Sequence, residues 1–205
     1  MEDTIQEISD FIGSLFDVFG IAEHPDHGTL IIVGLESTPE RNLDDFGWID
    51  DEIKLFGFEK YMSPLLESAV GFIRDKGYTP ELVGRHGYPK REQLNLKELA
   101  VQTGIGKRGK HSVVLHDKYG ARLRFAAIKV KDSFQLPARP ILSEPPNPTC
   151  HNCSLCLEAC PVNVIEPYRV TDVSLCLSQV MAMEEQQGRI IPCDECLKVC
   201  PAGTN

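Results

Sequence analysis

The chain has 205 residues, 42% of them hydrophobic, which suffices for one ordinary domain with a real core plus a small appendage and excludes a disordered chain. Its apolar runs fall far short of the ~20 residues of a membrane span, the longest lying at residues 30–33, so insertion into a bilayer is excluded though docking on one is not. The net charge of −9 divides unevenly: residues 1–83 carry 5 Lys/Arg against 18 Asp/Glu, residues 84–131 carry 12 against 3, and residues 132–205 carry 4 against 9. A basic middle in an acidic chain points either to an anion site or to a face that neutralises the acidic segment; a nucleic acid partner finds only weak support in it.

At the start, Ile5, Ile8, Ile12, Leu15, Phe16 and Phe19 recur at steps of three and four, one face of an amphipathic helix predicted to end at Gly20. This acidic opening has neither a basic n-region nor an apolar signal core, so the chain reads as cytoplasmic. A turn His24-Pro25-Asp26-His27-Gly28 follows, whose two histidines have the chemistry of metal ligands but are, in a turn, more often simply exposed. From Thr29 to Leu35 a short, β-branched apolar run predicts a buried strand. Residues 37–60 are acidic and irregular, with Asp44, Asp45, Asp50, Asp51 and Glu52 around the single tryptophan, Trp48. They predict a long excursion with a helical turn or two, such as a lid. Ser63-Pro64 then reads as an N-cap with proline at N1, opening a helix whose stripe Leu65, Leu66, Ala69, Val70 and Ile73 stops at Gly77. A short strand is expected at residues 81–83.

The next stretch is the basic one. Asn95 with Glu98 three residues later resembles a capping box, and the helix it opens ends at Thr103-Gly104. Gly104, Gly106 and Gly109, interleaved with Lys107, Arg108 and Lys110, form a loop whose backbone can approach a ligand and hold an anion through amide N–H groups and cations; an ordinary exposed turn has the same composition. Residues 111–116 and 122–130 read as two strands joined by a turn at residues 117–120, a hairpin, with a bulge where the alternation slips at Ala126-Ala127. A proline-rich connector, LPARPILSEPPNP, then hands the chain on.

All eight cysteines follow that connector. The first run, Cys150, Cys153, Cys156 and Cys160, is C-x2-C-x2-C-x3-C-P; three thiolates at this spacing wrap one [4Fe-4S] cluster while the fourth serves another. Two such clusters need eight thiolates, the number present. Cys150, Cys153, Cys156 and Cys200 are therefore expected to hold one cluster, and Cys160, Cys176, Cys193 and Cys196 the other. The second half has only C-x2-C-x3-C-P and must borrow Cys176 from 17 positions upstream. Zinc is the competing reading, although zinc sites have no use for two C-P endings. Disulfides are disfavoured by the cytoplasmic reading.

These residues carry a family resemblance. CHNCSLCLEACPVNVI, DVSLCLSQ and PCDECLKVCP stand in the order found in the epoxyqueuosine reductase and reductive dehalogenase group of corrinoid iron-sulfur proteins, the lone middle cysteine included. TGIGKRGKHSVVLHDKYGARLRFAAIKV looks like that family's A-G-L-G-W-x-G-K stretch and its following hairpin. The resemblance implies an α+β protein, a nitroreductase-like α/β sandwich domain (residues 1–143) followed by a bacterial ferredoxin-like domain with two [4Fe-4S] clusters (residues 144–205). It also implies cobalamin at the loop bearing Gly104, Gly106, Lys107, Gly109 and Lys110. The family's A-R-Y-A-x-G-x-D-Y-H motif is not found; where the family keeps a catalytic acid in D-S-A-P this chain has PKREQLN, with Glu92 the only carboxylate, and its C-terminal helical repeats, which help hold transfer RNA, are not expected. The catalytic residues are unknown at this stage. The sequence thus reads as an iron-sulfur oxidoreductase passing single electrons from a low-potential donor, such as a ferredoxin or flavodoxin, toward a site in the α/β domain. The alternatives are a ferredoxin-like adaptor that docks a redox partner protein and a protein in which the clusters are structural staples.

Overall fold

In a computed structural model, the described residues are 2–24, 27–50, 52–83, 94–131, 134, 146–176, 185–186, 189–190 and 193–203. The fold mixes helices and strands, as expected of an α+β protein, and divides into two compact units. The first comprises Met1–Glu36, Lys60–Ile105 and Arg124–Ser143; the second comprises Ser37–Glu59, Gly106–Leu123 and Glu144–Asn205. Among the described residues no helix is long and apolar enough to cross a membrane.

The first unit is built on a four-stranded sheet in the order β1 (Val18–His24), β2 (Gly28–Glu36), β8 (Leu123–Val130) and β5 (Pro80–Val83). Strand β2 lies centrally, and Leu30, Ile31, Ile32 and Val33 are all fully buried, so both of its faces are covered. Burying each such side chain is worth about 1.5–3 kcal/mol. Helix α1 (Glu2–Leu15) offers Ile8 and Ile12 to the core, α3 (Ser63–Asp75) offers Leu66, Ala69 and Ile73, and Phe11 stacks on Phe72 at 4.1 Å between ring centroids.

Helix α1 stops earlier than its apolar period suggests. Phe16 is buried after the helix ends, and the chain turns at Asp17, whose carboxylate accepts the Glu36 N–H at 2.7 Å, so that Val18 starts a strand paired with Gly34. The strand is favoured because Gly20 lies against Thr103, at the end of α4 (Leu96–Gln102), where a side chain would collide. Helix α4 itself begins as expected: the Asn95 side chain accepts the Glu98 N–H at 3.2 Å. The expected N-cap at Ser63 is corrected, since Ser63 is the first helical residue and Met62 precedes it with no capping side chain. The turn histidines His24 and His27 have rings 4.6 Å apart, and Pro25 and Asp26 lie outside the described residues.

Two other expectations change. Strand β8 does not fold back on the preceding strand; it pairs with β5, from Pro80↔Val130 to Val83↔Ala127. Ala126, Ala127 and Ile128 are all buried, so the broken alternation marks a strand covered on both faces. Residues 37–60, expected to be irregular, form a hairpin of β3 (Phe46–Ile49) and β4 (Glu52–Lys54) followed by helix α2 (Phe56–Tyr61). This hairpin is fixed in a sheet ordered β11 (Glu185–Gln186), β12 (Arg189–Ile190), β3 and β4, with Arg189 pairing Asp45 at 2.7 Å and covering the Phe56 ring.

Candidate metal centre

All eight cysteines are free thiols of the second unit, and two similar turns present most of them. Pro148–Cys150 is a single 3-10 turn capped by Asn147, whose side-chain oxygen accepts the Thr149 N–H at 3.0 Å. Helix α5 (Leu155–Glu158) is entered through Ser154 (φ −123, ψ 3), and helix α6 (Glu195–Lys198) through Asp194 (φ −124, ψ 18). The near-identical backbone puts Cys156 and Cys196 at the second position of their helices. Cys160 and Cys200 come just past the helix ends, each followed by a proline that cannot continue the turn. Cys176 closes a separate helical turn at residues 173–176. Asp172 starts it by accepting the Ser174 hydroxyl at 2.7 Å and the Leu175 N–H at 2.9 Å; these bonds hold its carboxyl below the usual range.

Four of the thiols share one recess. Cys150, Cys153, Cys156 and Cys200 line one recess together with Lys110 and His111. Burial raises the Cys156 thiol above its ordinary pKa, and the next causes are Cys150, Cys200 and Cys153. Cys200 is raised by burial as well, and its thiol neighbours are Cys150 and Cys153. Cys196 is pushed up to about 12, first by burial and then by Cys176, Cys193, Cys156 and Cys160. Three of those four belong to the second expected set, and the fourth, Cys156, brings the two sets within electrostatic reach of each other.

Buried thiols that raise one another's pKa resist ionising unless positive charge arrives between them, which is the electrostatic condition of a thiolate metal centre. Among the described residues, no three of His, Cys, Asp or Glu converge tightly enough to hold a single metal ion. A tetrahedral zinc, with Zn–S bonds of about 2.3 Å, would draw its sulfurs to within roughly 4 Å of one another.

The glycine-rich segment has a definite job in this unit. Lys107–Arg108 forms strand β6, antiparallel to β7 (Val114–Leu115), with both β7 residues buried. A side chain at Gly106 would come within 2.6 Å of the Leu115 carbonyl, and one at Gly109 within 2.8 Å of the Leu115 side chain, so both glycines are filled by the hairpin's own packing. The segment also splints the cysteine turns. The Arg108 carbonyl accepts the Asn147 N–H at 3.3 Å, the Lys110 carbonyl accepts the Tyr168 N–H at 2.8 Å, and the Lys110 ammonium donates to the Cys153 carbonyl at 2.9 Å and the His151 carbonyl at 3.5 Å. Gly104 alone has open space around it, at φ +78. Glu92 lies outside the described residues, as does most of the proline-rich connector.

Two residues of the centre were not singled out by their sequence. His111 is 3% exposed and lines the recess, its Nδ1 accepting the Val113 N–H at 3.3 Å. Its place beside Lys110 in a glycine-rich run was the available signal. Gly120 (φ +54) sits where a side chain would collide with Ala202, and the Arg122 guanidinium donates to the Gly203 carbonyl at 3.4 Å. Leu115, Ala121, Cys150 and Ala202 form one apolar cluster there, with Cys200 packed against it.

No family model matches the chain. Among curated proteins it is similar to epoxyqueuosine reductases: 32% identical over 132 residues to that of Vibrio cholerae, covering 58% of this chain and 34% of the relative, and 34% identical over 122 residues to that of Burkholderia pseudomallei, covering 51% and 29%. The chain thus spans about a third of the length of these relatives. Among solved structures, epoxyqueuosine reductase from Bacillus subtilis matches with a TM-score of 0.68 at 15% identity, covering 100% of this chain and 66% of that one. An epoxyqueuosine reductase bound to a modified tRNA-Tyr stem loop matches with a TM-score of 0.68 at 15% identity, covering 100% of this chain and 66% of that one. A catabolic reductive dehalogenase in complex with 3-bromo-4-hydroxybenzoic acid also matches with a TM-score of 0.68 at 15% identity, covering 96% of this chain and 31% of that one. At such identities these likenesses concern the fold. The chain resembles the epoxyqueuosine reductase and reductive dehalogenase group.

Proposed function

We propose that this chain is an iron-sulfur oxidoreductase carrying two [4Fe-4S] clusters, one held by Cys150, Cys153, Cys156 and Cys200 and the other by Cys160, Cys176, Cys193 and Cys196, which pass single electrons from a low-potential donor protein toward an acceptor in the α/β part of the chain. The observation that supports this reading is the recess lined by Cys150, Cys153, Cys156 and Cys200, with Cys196 standing near Cys176, Cys193 and Cys160 as well as Cys156. Its curated relatives, all reductases, support the redox assignment. Each cluster, when bound, would take up and release one electron at a potential set by its surroundings. The protein's own part is to hold. Burial of Cys150, Cys156 and Cys160 keeps water from the sulfurs, the two helical turns fix the spacing of the thiolates, and Lys110 ties the Cys153 turn to the β6–β7 hairpin.

Iron and sulfide analysis of the anaerobically purified protein tests this: about eight of each per chain are expected, with broad visible absorption. Zinc in their place, without that absorption, would overturn the redox reading.

A corrinoid acceptor is the finer form of the proposal, and one observation favours the alternative, an electron-transfer adaptor that docks a redox partner. Gly106 and Gly109 are filled by the hairpin and Lys110 is engaged with the cysteine turn, so Gly104, Gly106, Lys107, Gly109 and Lys110 do not make an open cradle for a flat ring. Adding cob(II)alamin to the cluster-loaded protein and recording its paramagnetic resonance separates the two. A base-off signal supports the corrinoid enzyme; a spectrum identical to free cobalamin supports the adaptor. Epoxyqueuosine in a transfer RNA, the substrate class named for the relatives, is tested by the same protein's binding of a modified stem loop.

A further inference from the structure

We propose that Lys110 and His111 raise the reduction potential of the cluster at Cys150, Cys153, Cys156 and Cys200 above that of its neighbour, making it the member of the pair on which the electron rests. The inference rests on the cluster assignment just proposed and adds a direction to it.

Reduction adds one negative charge to a cluster and moves no proton, so whatever positive charge or N–H dipole is fixed nearby favours the reduced form. The first set has both. The Lys110 ammonium is anchored on the ligand turn itself, 2.9 Å from the Cys153 carbonyl, and Lys110 lines the recess. The backbone of Lys110 is held by Tyr168 at 2.8 Å, and its ammonium also donates to the His151 carbonyl at 3.5 Å. His111 lines the same recess at 3% exposure. Since its Nδ1 accepts the Val113 N–H, the neutral ring carries its proton on Nε2, a donor facing buried surroundings. Gly109 makes room for that ring: a side chain there would come within 2.9 Å of His111 Cε1.

Among the described residues, the turn of the second set carries the opposite charge. Between Cys193 and Cys196 the ligand turn carries Asp194 and Glu195, whereas the turn from Cys150 to Cys156 carries no carboxylate. Lys198 pairs with both acids, at 2.7 Å and 3.0 Å, so one cation is shared by two anions and the turn stays net negative. Glu158 lies between Cys156 and Cys160, one ligand of each set, and so weighs on both. Fixed negative charge disfavours the added electron, so an electron delivered to the Cys176-containing cluster would pass downhill to the other, one cluster being oxidised as its neighbour is reduced.

The test is a potentiometric titration of the full-length, anaerobically assembled protein, followed by paramagnetic resonance. Two midpoints are expected. Lys110→Met and His111→Phe should each lower the higher midpoint by about tenfold in the electron-transfer equilibrium, about 59 mV for one electron, and leave the lower one unmoved. Lys110→Arg and His111→Gln, which keep the charge and the donor, should restore most of the shift. The Cys176→Ala protein, retaining only the first cluster, should titrate at the higher midpoint. Should Lys110→Met fail to assemble, the His111→Phe protein and the pair Asp194→Asn and Glu195→Gln carry the test, the latter two raising the lower midpoint. Full iron with both midpoints unmoved, or a shift confined to the Cys176-dependent cluster, would overturn this inference and leave the proposed function standing. A chain that binds no iron-sulfur cluster would overturn both.

Discussion

The two units reach order by different means. The first has one continuous core: β2 buried on both faces, with α1, α3 and α4 supplying Ile8, Ile12, Leu66, Ile73 and Leu99. The second has small apolar clusters instead, Leu115, Ala121, Cys150 and Ala202 in one and Phe46 and Ile190 in another, with Cys200 packed on the first and Cys193 on the second. Both of these clusters, among the described residues, thus have a cysteine packed against them. On the proposed assignment, this unit would draw on its metal to stay folded, as small metal-dependent domains do.

The sharpest way to break this contrast is to take the metal away. Removing iron with a chelator should abolish hydrogen-exchange protection at the amides of Gly109, Tyr168 and Thr171, while those of β2 stay protected. Protection surviving in both units would mean that the second has a sufficient core of its own. Next in size, Ile32→Ala should destabilise the first unit by about 2–5 kcal/mol, read by denaturant unfolding, with iron content per folded chain unchanged. A parallel loss of iron would show the two units to be energetically one. A smaller effect, about 1 kcal/mol, is expected for Asn95→Ala, which removes the cap of α4. The smallest concerns pH. His116 accepts the N–H groups of Lys118 and Tyr119 at Nδ1, and burial followed by Lys118 lowers its pKa against the pull of Asp117. The unfolded chain therefore takes up that proton first. The stability His116 lends is complete above its ordinary value of 6.5 and is lost as pH falls through the lowered one. The protection factors of the Lys118 and Tyr119 amides, corrected for the intrinsic exchange rate, should fall in that window, and His116→Asn should remove this change.

That Cys150, Cys153 and Cys156 share a recess was legible because their spacing is a local, covalent property: C-x2-C-x2-C turns on itself within two turns of chain. Strand β2 and the Asn95 cap were legible for the same reason, each being declared by neighbours in sequence. Strand β1 was not, because Phe16 and Phe19 continue the helical period of Ile8 and Ile12, and only contact with Thr103 selects the extended form at Gly20. The partner of β8 was hidden similarly: proximity favours the preceding strand, whereas the buried faces of Ala126, Ala127 and Ile128 require a place inside the sheet beside β5. Lys107 and Arg108 gave no strand signal at all, their side chains being basic and their pairing with Leu115 and Val114 a matter of glycine packing. His111 was passed over because a histidine in a strand is ordinarily unremarkable.

The interlock of Gly120 with Ala202 and Gly203 also sets a timetable. Cys150, Cys153 and Cys156 leave the ribosome together, but their fourth partner, Cys200, is made 44 residues after Cys156. Until then the groove beside Gly120 has nothing to receive. At roughly 5–20 residues per second, several seconds separate the third thiol from the fourth, during which Cys160, Cys176, Cys193 and Cys196 have already been completed. On the proposed assignment the set that begins first is thus the set that closes last, four residues after Cys196 completes the other.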